Sequence, residues 1–144
     1  IIFVAFAIYA INIFMGIQNN ASSGKLGKDV QRDVNKIWNS PESKEEFDYF
    51  LPGNTEYACF VDFSSEEEGK YRSLYDPLKQ VSFAEGNLVL YPSESADRNT
   101  FDIDNLDIEK TTSKDNPLCF KEAEGRVKMY FEKSFSDTLV TVVK

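Results

Sequence analysis

Residues 1–17, IIFVAFAIYAINIFMGI, contain Asn12 and Gly16 as their sole exceptions to an apolar and aromatic run. At 1.5 Å per residue a helix of this stretch would be a rod of about 26 Å, close to the roughly 30 Å of a bilayer's hydrocarbon core. A buried helix of a soluble domain keeps a polar stripe toward water, and no face of this rod is polar over four turns. Such a segment needs apolar surroundings on every side, supplied either by lipid or by copies of itself. Ala5, Ala7, Ala10 and Gly16 leave room for close approach among the Phe and Ile side chains.

Downstream, the polar stretch QNNASSG (18–24) leads into Leu26, Val30, Val34, Ile37 and Trp38, whose spacing marks one face of a helix. Lys28, Asp29, Arg32, Asp33 and Lys36 occupy the opposite side, and Pro41 ends the pattern at Ser40. The two stretches together predict an N-terminal unit over 1–40, apolar all round and then amphipathic, weakened near Gly24 and Gly27.

From position 45 the period changes to two. Phe47, Tyr49 and Leu51 alternate with Asp48 and Phe50, and after Leu51-Pro52-Gly53-Asn54 Tyr57, Cys59, Val61 and Phe63 alternate with Glu56, Ala58, Phe60 and Asp62. This predicts a hairpin turning at Pro52-Gly53. Further strands are expected at 87–91, 100–104, 118–122, 126–133 and 138–143, with a bulge or turn near Asn105, while 71–86 fits neither period. The expected fold class is α+β: a long N-terminal hydrophobic helix followed by an antiparallel head over 45–144, shaped as a β-sandwich or small barrel.

The chain of 144 residues carries a net charge of −8 and no histidine. Every relay or zinc site that depends on imidazole is thereby excluded. All 16 basic and 24 acidic residues lie after position 24, and the acidic excess disfavours binding to a polyanion such as nucleic acid. Asp102, Asp104, Asp107 and Glu109 lack the spacing of a calcium loop and read as the wet side of an extended segment, as Glu66–Glu68 read as a solvated loop. With no nucleophile–base pair in view, neither catalysis nor a metal or cofactor is expected. Cys59 and Cys119 lie in apolar strand patterns, where they are either a disulfide, which would place the chain in an oxidising compartment, or two buried thiols. Asn20-Ala21-Ser22 is an N-glycosylation sequon.

An apolar helix continuing into an amphipathic half and a β-rich head resembles the type IV pilin superfamily, its archaeal pilin-like filament subunits most of all. Ala5 stands where bacterial members usually carry glutamate, if Ile1 is the mature start; archaeal members commonly lack that residue. The resemblance implies an extracellular, cell-surface filament that is membrane-inserted before assembly and whose partner is further copies of the chain. Ile1, Phe3, Phe6, Ala7, Ala10, Phe14 and Ile17 would form the assembly helix, and Leu26, Val30, Val34, Ile37 and Trp38 would hold the head. The alternative is a single-pass, membrane-anchored extracytoplasmic binding module whose loops read a ligand.

Overall fold

The computed structural model describes residues 24–92 and 99–144. Its first element, helix α1 over 24–38, buries Leu26, Val30, Val34 and Ile37, as an amphipathic stripe requires. A turn at 39–42 reverses the chain into β1 (Ser43–Phe50), which runs antiparallel to α1. Lys36 meets Glu45 at 3.0 Å near one end of the pair, and Tyr49 meets Asp33 at 2.7 Å toward the other.

β1 is the edge of a three-stranded antiparallel sheet of order β1-β6-β7, formed with β6 (Arg126–Lys133) and β7 (Thr141–Val143). Phe47, Tyr49, Val127, Met129, Phe131 and Val142 face α1. The opposite face carries Lys44, Glu46, Asp48, Arg126 and Lys128 in a ladder of cross-strand ion pairs open to water.

The second sheet has the order β4-β3-β2-β5 and is built from β2 (Tyr57–Phe60), β3 (Leu88–Tyr91), β4 (Thr100–Phe101) and β5 (Leu118–Lys121). It is buried on both faces. Ala58, Phe60, Leu88, Leu90, Leu118 and Phe120 join the core under α1, whereas Cys59, Val61, Val89 and Cys119 turn to a second core beneath helix α2 (Tyr75–Ser82) through Tyr75 and Leu78. A short helix α3 (Ile108–Thr111), whose first turn is capped by the Asp107 carboxylate, precedes β5.

The expected fold therefore needs correction. Among the described residues the first helix covers 24–38, and no helix is long and apolar enough to cross a membrane. The described strands do not form one sandwich or barrel-like head. They divide into two sheets of an α+β fold, each with its own helical cover. Nor is there a hairpin at Pro52-Gly53, because β1 pairs with β6 and β2 pairs with β3 and β5. The physical reason lies in burial. β1 alternates between core and water, so it suits a sheet with one wet face, while β2 is apolar on both sides and needs a covered sheet. The 51–56 segment carries the chain from one sheet to the other, with Gly53 in the left-handed region and Thr55 N–H donating to the Pro52 carbonyl. The stretch 71–86, ambiguous in sequence, holds a 3₁₀ turn (Arg72–Leu74) and α2.

Candidate functional site

The residues expected to matter fall into three groups: an N-terminal assembly segment, the face joining helix to head, and the cysteine pair. Ile1, Phe3, Phe6, Ala7, Ala10, Phe14 and Ile17, and the sequon at Asn20, lie outside the described residues.

The joining face is well defined. Leu26, Val30, Val34 and Ile37 are buried against both sheets, and Trp38, at the helix end, is 40% exposed with its indole N–H donating to the Thr138 carbonyl at 3.0 Å. Polar bonds then fasten the flanks of the same helix. Gln31 grips the backbone of Asp104 from both sides, accepting from its N–H at 2.7 Å and donating to its carbonyl at 3.1 Å. One turn on, Asn35 Oδ1 accepts from Gln31 and from Asn105, whose own backbone is left-handed. At the C-terminus the Lys133 ammonium donates to the carbonyls of Trp38 and Ser40 at 2.9 and 3.1 Å, placing a cation where the helix dipole is negative.

Asp33 departs from the sequence reading, which put it on the wet side of the helix. It is 7% exposed, covered by β1, and its carboxylate accepts from the Tyr49 hydroxyl and from Arg32 Nε. Burial, then the hydrogen bond to Asp33, pushes the Tyr49 hydroxyl far above its ordinary pKa. Nothing local in the sequence marks this contact; a Tyr at a core-facing position of the next strand is its sole signal.

Cys59 and Cys119 form a disulfide. They stand directly opposite on β2 and β5, with Cα atoms 4.0 Å apart. Glu122 N–H bonds the Glu56 carbonyl, which by alternation makes Cys59 and Cys119 a non-hydrogen-bonded pair, the arrangement in which facing residues approach most closely. Both sulfurs are covered by α2.

The acidic residues do not converge on a metal. No group of three or more ligating side chains able to hold an ion occurs among the described residues. Asp107 caps α3, and Asp62 closes a turn by accepting from the Ser64 N–H and hydroxyl and from the Ser65 hydroxyl. Partial burial opposes the charge on Asp62, but those hydrogen bonds outweigh it and hold the carboxyl below its ordinary pKa. No sequence signal marks Asn116, which is buried and spends its whole amide on this loop, accepting from Asp62 N–H and donating to the carbonyls of Asp62 and Glu66. The described bonds thus fasten the head to the flanks and end of α1 and brace the 62–66 loop. Comparison with known proteins finds no matching protein-family model, no matching curated protein and no matching solved structure.

Proposed function

We propose that the chain is a structural subunit of an extracellular, type IV pilus-like filament, polymerising through the apolar residues 1–17 with the acidic β-rich head exposed. The observation that carries this reading is the use of the 24–38 helix: its apolar stripe is already taken by the head. Residues 1–17 before it have a sequence apolar on all sides and need an apolar host of their own. Lipid is that host before assembly, and identical segments of neighbouring subunits are the host afterwards. Heterologous, non-closing contacts of this kind generate filaments. The disulfide supports an oxidising compartment, as expected of a cell-surface protein.

Negative-stain microscopy of sheared surface material tests the proposal. Fibres containing this chain are expected, and Ala10→Asp is expected to abolish them while the head stays folded. Detergent-dependent monomers without fibres would overturn it in favour of a membrane-anchored binding module.

A further inference from the structure

We infer that, in the membrane-inserted form, the end of the head around Phe50 rests on the surface of the lipid bilayer. This rests on the reading of residues 1–17 as the membrane-inserted segment. Phe50 closes β1, yet its ring is 64% exposed on the wet face of the sheet. Because β1 runs antiparallel to α1, Phe50 lies beside the start of the helix. It shares the wall of a cavity of about 350 Å³ with Lys25, Leu26, Asp29, Asp48 and Tyr49. Gly24 and Lys25 are the first described residues after the apolar segment and its polar connection, so this end of the head is the one joined to that segment. The six residues 18–23 span at most about 20 Å when extended.

The chemistry of this end suits the water–lipid boundary. The Arg126 guanidinium lies 4.3 Å from the centre of the Phe50 ring, joining an apolar plate to a donor fork that matches phosphate. Lys25 is exposed and forms no ion pair with a described residue, while Lys128, two residues beyond Arg126 on the same strand face, is paired with Glu46 at 3.9 Å. The acids nearby are partly committed: Asp48 faces Arg126 at 3.5 Å and Asp29 faces Arg32 at 3.2 Å, leaving Glu124 as the exposed carboxylate of the adjoining turn. Phe beside Lys and Arg is a combination found on surfaces that lie at the boundary with lipid headgroups. Trp38 lies thirteen residues further along α1, about 20 Å from Lys25, and so would stand clear of that boundary.

The test uses the full chain in vesicles of phosphatidylcholine and phosphatidylglycerol whose acyl chains are brominated near the headgroup. Flotation reports whether the chain enters the membrane at all. Tryptophan quenching then reports which end of the head touches it. In the native chain Trp38, the single tryptophan, should keep its emission. In the Phe50→Trp, Trp38→Phe variant most of the emission should be lost. A variant that floats with its relocated indole unquenched, or a native chain whose Trp38 is quenched equally, would overturn the inference and leave the parent reading standing; a chain that does not float would overturn both.

Discussion

The Tyr49 hydroxyl donates a 2.7 Å hydrogen bond to Asp33 Oδ2 and so ties β1 to the flank of α1 from inside the fold. Removing the donor leaves a buried carboxylate short of one partner. Tyr49→Phe is expected to cost about 1–3 kcal/mol in urea unfolding, beyond the near-zero change of an isosteric swap at an open site. A loss under a few tenths would show that water replaces the hydroxyl.

The same pair sets an alkaline limit. Because the fold raises the Tyr49 pKa above the unfolded value near 10, its contribution is complete below that value and is lost as pH rises beyond it. Asp62 acts in the opposite sense: its lowered pKa contributes above the unfolded carboxyl value of 3.8 and is lost as pH falls below it. Stability measured against pH should therefore decline at both extremes, with Tyr49→Phe flattening the alkaline limb and Asp62→Asn the acid limb.

Gly27 sits where the helix meets Phe101, and a Cβ added there would run into the Phe101 ring. Alanine is worth about 1 kcal/mol over glycine in a helix, but displacing a buried ring costs about 1–3 kcal/mol. Gly27→Ala should lower the unfolding free energy, while Gly24→Ala, which meets nothing, should not.

The disulfide closes a loop between residues 60 apart in sequence. On the chain-entropy account its removal by Cys59→Ala with Cys119→Ala should cost about 4 kcal/mol. Denaturant unfolding of the paired variant measures it, and a change below about 1 kcal/mol would show that the unfolded chain is already restrained.

Asn116→Ala strips three hydrogen bonds from the 62–66 loop and should destabilise by about 1–3 kcal/mol. Hydrogen exchange should quicken first at the amide of Asp62, which the Asn116 side chain holds directly.

Features written in local periodicity were legible in the sequence. The stripe Leu26, Val30, Val34, Ile37, the strand expected at 87–91 and found at 88–91, and a turn near Asn105 all follow from a few consecutive residues. Pairing was not legible, because it is decided by remote partners: Phe47 faces Met129 across the sheet, and Gln31 holds Asp104, 73 residues away. Helix α2 escaped for a different reason. It ends at Phe83 and Ala84, both left-handed, instead of at the glycine that usually announces a helix C-terminus. The charge on Asp33 masked its burial, since a carboxylate on a helix flank normally faces water. The assembly residues rest on composition and resemblance alone.

The antiparallel course of α1 and β1 also has a mechanical meaning. A pull on the chain at Gly24 along the helix axis strains the bonds of Gln31, Asp33, Asn35 and Trp38 side by side, in shear, and does not peel them away one after another. The disulfide lies in the other sheet, which also packs under α1. Resistance to traction is thus distributed along the rod and into both sheets, one of them closed by a covalent staple.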